Sequence, residues 1–330
     1  MVSATPTAPP ILDFSAFRSS NPSERETLIN QIRTACRDKG FFQLTNHGIS
    51  SDLQTQTLSA CKQFFDLPLS EKLKIDLKFS KHNRGYERHG SQMLEAGTAP
   101  ESKEGLYLGK DLPLDHPRVV AGEYNCGPNP WLEALGEEFK DVCMEYYQAV
   151  EKLANEVIKA LALGLGLKEG WFDEFTSKPS GTLRFIHYPP TPTTSSKARG
   201  IGAHRDFGCI TLLMQDQVGG LQVLDEASGE WLDVTPVPGA YVVNLGNLMM
   251  KWTNHVYNSN MHRVMNFSSK DRYSIPFFYS GDQSYVFDCI PGCEGENGEK
   301  GEKMVVGEYM KRQFDTSYNR VLEQETVATS

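Results

Sequence analysis

The sequence predicts an α+β fold in which a jelly roll is buttressed by helices and by an N-terminal region of mixed elements. Two patterns predict it. From residue 181 to about 286 the chain runs as short β-rich segments punctuated by Gly, Pro and Asn, the pattern of a jelly roll. Just before that, residues 130–163 carry Leu135, Phe139, Val142, Tyr146, Val150, Leu153, Val157 and Leu161. Steps of three and four place these on one face of a long helix that packs on something flat. The elements follow in order. The first eight residues are rich in Pro, Thr and Ala and are expected to be disordered; Pro10 to Phe14 starts a first strand. Residues 23–39 read as an amphipathic helix and 40–46 as a strand. The chain has no internal repeat and no Pro/Gly/Ser linker that would divide it cleanly.

Composition narrows the function classes. The 330 residues carry a formal net charge of −9, which argues against nonspecific binding to nucleic acid or to an anionic membrane. The longest apolar tract, around Ala160 to Leu163, is far too short to span a bilayer, and the N-terminus lacks the basic and apolar regions of a signal peptide. Seven scattered cysteines, an odd number, point to a reducing cytoplasm. Cys289 and Cys293 flank a Gly/Glu/Lys-rich stretch over 292–303 that reads as a solvated loop.

The chemistry is concentrated in His204-Arg205-Asp206, followed 56 residues later by His262 and ten further on by Arg272-Tyr273-Ser274. Two imidazoles and one carboxylate are the donor set that holds a non-haem Fe(II) on one face and leaves positions open for a co-substrate and O₂. Residues i and i+2 of a strand share a face, so His204 and Asp206 reach one ion if this segment is a strand, as the β-rich run from Cys209 to Met214 suggests. An H-x-D tripeptide is common by itself. Structural zinc is disfavoured because no Cys-x-x-Cys occurs, whereas a catalytic zinc satisfies the donor types equally well. Arg272 weighs against zinc. Arg272 and Ser274 are again i and i+2 in an alternating segment, and a guanidinium fork with a neighbouring hydroxyl makes a receptor for a carboxylate. Beside iron, that receptor suits the distal carboxylate of 2-oxoglutarate; an isolated arginine paired with a surface acid is the alternative.

With these residues in view, the stretch from Arg184 to Phe278 resembles the isopenicillin N synthase-like branch of the 2-oxoglutarate/Fe(II)-dependent dioxygenases. The resemblance rests on Arg184-Phe185-Ile186-His187-Tyr188-Pro189-Pro190, Ala203-His204-Arg205-Asp206, Gly219-Gly220-Leu221-Gln222-Val223, Val243-Asn244-Leu245-Gly246-Asn247, His262-Arg263-Val264 and Arg272-Tyr273-Ser274. Upstream, the segment from Asp38 to Ile49 and Asn83-Arg84-Gly85-Tyr86 are similar to the same branch. The resemblance implies a double-stranded β-helix with a metal in its mouth. It makes His204, Asp206 and His262 the iron ligands, and Arg272 and Ser274, joined by Tyr188, the grip on 2-oxoglutarate. Ile186 replaces an Asn of many plant members, Arg205 a Thr and Asn247 an Asp, and none of these changes removes a ligand.

The resemblance also divides the chain into an N-terminal cap region at 1–120, a long helix and connector at 121–180, a catalytic core at 181–290 and a C-terminal loop and helix at 291–330, all one compact unit. It implies a 2-oxoglutarate-dependent dioxygenase that hydroxylates, desaturates or rearranges a small molecule with Fe(II), 2-oxoglutarate and O₂, in fungal-type secondary metabolism. Positions near the mouth, Asn83, Arg84, Tyr86, Tyr107, Phe207, Leu221, Val223 and Phe278, become substrate contacts, while His187 and His255 are structural or exposed. Other readings are an Fe(II) oxidase or ethylene-forming type of enzyme, a free amino-acid or pyrimidine hydroxylase, and a non-enzymatic jelly-roll binder, which the intact ligand set disfavours. A monomer or weak dimer in the cytoplasm is expected.

Overall fold

The computed structural model describes residues 8–95, 100–190, 199–266 and 268–316. In chain order the elements are β1 (Ile11–Asp13), α1 (Pro22–Asp38), β2 (Phe41–Thr45), α2 (Ser51–Phe65), β3 (Gly85–Glu87), β4 (Glu104–Gly109), α3 (Gly136–Gly164) and β5 (Ser180–Tyr188). They continue with β6 (Ile201–His204), β7 (Ile210–Gln215), β8 (Leu221–Asp225), β9 (Glu230–Asp233), β10 (Tyr241–Leu245), α4 (Asn247–Trp252), β11 (His262–Val264) and β12 (Arg272–Gly281). A small hairpin, β13 (Val286–Phe287) with β14 (Met304–Val305), precedes helical residues 306–316. The disorder expected of the first eight residues concerns positions that, apart from Ala8, lie outside the described residues, as does the chain after 316.

Two sheets form the core. The larger runs β1-β2-β10-β7-β12-β5-β4-β3 and the smaller β6-β11-β8-β9. The four central strands of the larger sheet face the four of the smaller, and Ile186, Tyr188, Ile201, Leu221, Val242 and Val264 pack between them. This is a jelly roll, and the fold is α+β. The N-terminal strands extend the larger sheet at both ends.

Strand alternation separates the two faces of that larger sheet. On β12, Ile275, Phe277 and Tyr279 join the helix-covered core, while Arg272, Ser274, Pro276, Phe278 and Ser280 face a cavity inside the roll. On β5, Leu183 and Phe185 turn to the helices and Thr182, Arg184, Ile186 and Tyr188 to the cavity. The cover on the outer face is α3, which buries Phe139, Tyr146, Val150, Leu153, Val157 and Leu161 of the predicted face, with Cys143 fully buried in place of the half-buried Val142. It starts later than the periodicity suggests: Gly136 adopts φ 70°, a left-handed value that interrupts an α-helix, so Leu132 and Leu135 pack from a separate turn before it. Asn21 caps α1 through Ser23 N with Pro22 in the first turn, and Ser50 caps α2 through Leu53 N, which explains why both helices start where they do. Among the described residues no helix is long and apolar enough to cross a membrane.

Candidate active site

The expected strand through both His204 and Asp206 does not form. Strand β6 ends at His204, and Asp206 lies in the turn that carries the chain from the smaller sheet to β7 of the larger one. Pairing cannot continue across that change of sheet. The turn is instead tied down by its own backbone, with Asn247 N donating to Asp206 O at 2.8 Å and Gly246 N to Cys209 O at 3.0 Å. Gly246 sits so close that an added Cβ would lie 2.1 Å from Gly208 O and 3.1 Å from Asp206 O. His262, at the start of β11, pairs in register with His204 on β6. The three side chains converge nonetheless: one donor atom from each of His204, Asp206 and His262 lies within 4.8 Å of the others.

Each donor is aimed. The Nδ1 of His204 is 2.8 Å from Gly202 O and that of His262 is 3.2 Å from Asn260 O. A carbonyl only accepts, so Nδ1 carries the proton and the Nε2 lone pair points inward. Both Nε2 atoms lie 3.6 Å from Asp206 Oδ1. The other carboxylate oxygen, Oδ2, accepts from Thr211 Oγ1 at 2.6 Å and Asn244 Nδ2 at 2.7 Å. Burial alone would raise the Asp206 carboxyl, but His262 and then His204 outweigh it and hold the group well below the usual carboxylate range. His262 is pushed down to about 4, by burial first and by His204 second. Burial also disfavours a charged His204, yet the hydrogen bond and charge of Asp206 raise it. A carboxylate with its spare oxygen satisfied and two imidazoles fixed in one tautomer fit a divalent ion with nitrogen and oxygen preference, as iron(II) requires.

Arg272 is fully buried at the cavity end of β12. It donates to Gly219 O and, at 3.1 Å, to Gln215 Oε1, its carbon head stacks 4.7 Å from the Tyr188 ring, and its Nη1 has no hydrogen-bond partner. Among the described residues it makes no ion pair. A buried unpaired cation is costly, and its natural relief is an anion. Tyr188 stands directly opposite Arg272 in the β5–β12 register, and Ser274 faces the same cavity beside them. The alternating β12 segment therefore brings Arg272 and Ser274, with Tyr188 from β5, to the same cavity as the triad.

Of the expected substrate contacts, Asn83, Tyr107, Phe207, Leu221 and Phe278 line that cavity. Arg84, Tyr86 and Val223 do not. Arg84 is buried behind the wall, where it donates to Asn83 O and to both oxygens of Asn125. Tyr86 faces the helix side of the sheet, with its hydroxyl 2.6 Å from Glu104 Oε2. Val223 packs in the apolar layer between the sheets, opposite His262 on β11. His187 is structural, held between Glu104 at 2.9 Å and Asp271 at 2.7 Å, and His255 is exposed. Sequence reasoning missed Thr211 and Asn244 as supports of Asp206. It also missed Phe41, whose ring meets His262 edge-on at 5.3 Å, and the cavity residues Tyr124, Asn125, Met310 and Phe314. Asn244 and Phe41 stood within segments that carried the resemblance, but no local signal marked the others.

Comparison with known proteins agrees with this geometry. A family model described as the N-terminal region of non-haem dioxygenases in morphine synthesis matches residues 9–134, and that of the 2OG-Fe(II) oxygenase superfamily matches residues 179–281. A 2-oxoglutarate-Fe(II) type oxidoreductase of Emericella nidulans is 50% identical over 321 residues, covering 96% of this chain and 92% of that one. One of Aspergillus fumigatus is 51% identical over 288 residues, covering 86% of each. Among solved structures, full-length Neurospora crassa T7H in complex with alpha-KG and thymine is 29% identical, with a TM-score of 0.82 over 94% of this chain and 97% of that one. The chain belongs to the 2OG-Fe(II) oxygenase superfamily. It is a 2-oxoglutarate-dependent dioxygenase that uses Fe(II), 2-oxoglutarate and O₂ to oxidise a small molecule.

Proposed function

We propose that His204 Nε2, His262 Nε2 and Asp206 Oδ1 hold the iron, that Arg272 with Ser274 and Tyr188 grips the distal carboxylate of 2-oxoglutarate, and that the substrate fills the rest of the cavity. The observation that carries this reading is Arg272, a fully buried guanidinium with no acid partner among the described residues, opening into the cavity that also holds the triad. When bound, ferrous iron supplies the activation of O₂ that couples decarboxylation of 2-oxoglutarate to oxidation of a substrate C–H bond.

The protein's own part is position and dryness. Thr211 and Asn244 occupy Asp206 Oδ2 so that Oδ1 alone faces the two imidazoles. Ile186, Leu221 and Val264 keep water from the co-substrate end. Asn83, Tyr107, Phe207 and Phe278 face the substrate, with Leu221 bordering it. The reaction is hydroxylation, desaturation or ring rearrangement of a small metabolite in fungal-type secondary metabolism, carried out in the cytoplasm by a monomer or weak dimer. A net charge of −9 supports a protein that does not engage nucleic acid.

Anaerobic addition of Fe(II) and then 2-oxoglutarate should produce the visible charge-transfer band of a chelated 2-oxo acid. His204→Ala should lose that band while keeping its circular dichroism; a band retained at full intensity sinks the ligand assignment. Succinate formed in step with oxidised substrate separates this enzyme from an Fe(II) oxidase, which forms none.

A further inference from the structure

The cavity extends beyond the triad, away from Arg272. Strand β12 carries Arg272, Ser274, Pro276, Phe278 and Ser280 along it, so Ser280 lies on the order of 25 Å from Arg272 at about 3.4 Å per residue. A five-carbon diacid is far shorter, and the outer end belongs to the substrate.

Two carboxamides at this end have no hydrogen-bond partner among the described residues. Gln283, just past β12, is 5% exposed and lines the cavity, and its side-chain oxygen is buried without a hydrogen bond. Its main-chain carbonyl accepts from Gly307 N at 2.8 Å. Asn83 takes a left-handed φ of 56°, and its main-chain carbonyl accepts from Arg84 Nη1 at 3.2 Å, while its carboxamide makes no hydrogen bond among the described residues. Arg84 also clamps Asn125, whose Nδ2 donates to Thr182 Oγ1 at 2.8 Å. The backbone that presents Asn83 is therefore rigid, and its amide group is uncommitted.

The surroundings are flat, and the cation that borders them is paired. Tyr124, Phe207, Phe278 and Phe314 contribute rings, with Tyr124 and Phe314 edge to face at 6.5 Å. Arg184, which borders this space, is paired with Glu87, and Lys103 behind it with Glu87 and Glu101, two cations against two anions. A carboxamide offers a donor and an acceptor but no charge.

We infer that Asn83 and Gln283 determine substrate specificity, and that the substrate is a neutral, flat ring compound bearing a hydrogen-bond donor beside an acceptor, as in a cyclic amide. The inference rests on the reading that 2-oxoglutarate occupies the Arg272 end. An unpaired buried carboxamide destabilises the ligand-free protein, and a ligand that pairs with it recovers the lost hydrogen bond.

The test uses the full chain with Fe(II) and 2-oxoglutarate under anaerobic conditions, titrated calorimetrically with 2-pyridone, benzoate or toluene. The expected result is that 2-pyridone binds more tightly than the other two. Asn83→Gly, compatible with the positive φ, and Gln283→Met, close in volume, should each weaken 2-pyridone by about three- to tenfold and leave 2-oxoglutarate affinity unchanged. Gln283→Met should also raise the melting temperature of the ligand-free protein, the opposite of what loss of a merely structural residue does. Benzoate bound more tightly than 2-pyridone, no binding of any probe, unchanged 2-pyridone affinity in either variant, or a lower melting temperature in Gln283→Met overturns the inference. If 2-oxoglutarate fails to bind while the preference for 2-pyridone and its loss in the variants persist, the co-substrate reading fails and the inference stands.

Discussion

Replacing Arg272 with Met keeps much of the side-chain stem and removes a buried guanidinium that faces the triad cavity with no acid partner among the described residues. Hydrogen bonds to a charged group contribute about 1.5–3 kcal/mol, so losing the fork should weaken 2-oxoglutarate by roughly 10- to 150-fold. The variant also strips donors from Gly219 O and Gln215 Oε1, so its ligand-free stability is a poor gauge. The increment added by 2-oxoglutarate is better. At a concentration one hundred times its Kd a ligand stabilises by about 2.7 kcal/mol. After a hundredfold loss of affinity the same concentration stabilises by only about 0.4 kcal/mol. For a chain of 330 residues, with an unfolding entropy of about 2.1 cal/mol/K per residue, these increments correspond to shifts of about 4 °C and less than about 1 °C. Thermal melts with and without 2-oxoglutarate, with Fe(II) and without O₂, read the difference directly. An Arg272→Met protein that still gains the full wild-type shift would refute the assignment of the receptor.

Two further predictions concern supporting residues. Thr211→Val and Asn244→Leu each leave Asp206 Oδ2 short of a donor, and Fe(II) affinity should fall by about 10- to 100-fold in each; competition with a coloured chelator measures it, and unchanged affinity would mean that Asp206 needs no such anchoring. His187 should act on stability alone. Burial works against its charged form, but hydrogen bonds to Glu104 and then Asp271 raise its pKa above 6.5, and Glu104, which burial alone would raise, is held down at about 2 by His187, Lys72 and Tyr86. The raised histidine contributes fully below its unfolded value and loses that contribution as pH rises through its folded one. The lowered glutamate contributes above its unfolded value of 4.5 and loses it as pH falls through about 2. Urea melts should therefore show wild type exceeding His187→Gln most clearly between pH 4.5 and 6.5, by about 1 kcal/mol given the exposure of Asp271, with the gap closing as pH rises through the raised histidine pKa; a gap that widens as pH rises would contradict this account.

The residues of the chemistry were legible because much of their arrangement is local. Arg272 and Ser274 share a face through the two-residue repeat of a strand, and the same repeat sends Ile275, Phe277 and Tyr279 to the helices. The long helix was equally plain in its steps of three and four, although the left-handed Gly136 moved its start. Local reasoning failed where the chain changes sheets. His204 and Asp206 meet because a turn, packed against the Gly246 backbone, swings the carboxylate back toward His262; they do not lie on one strand.

By itself, then, the sequence determined the donor types, the shared face of Arg272 and Ser274 and the jelly roll that carries them, since each follows from side-chain chemistry and short-range periodicity. Only the tertiary structure decided which polar groups are already satisfied. Arg84 looked like a substrate contact and is instead the clamp on Asn83 and Asn125. Gln283 carried no local signal and is a buried acceptor facing the cavity. Whether a polar side chain is spent or available depends on partners brought together from distant parts of the chain, and that pairing arises only when the sheets, the loop at Asn125 and the helical residues 306–316 close around one cavity.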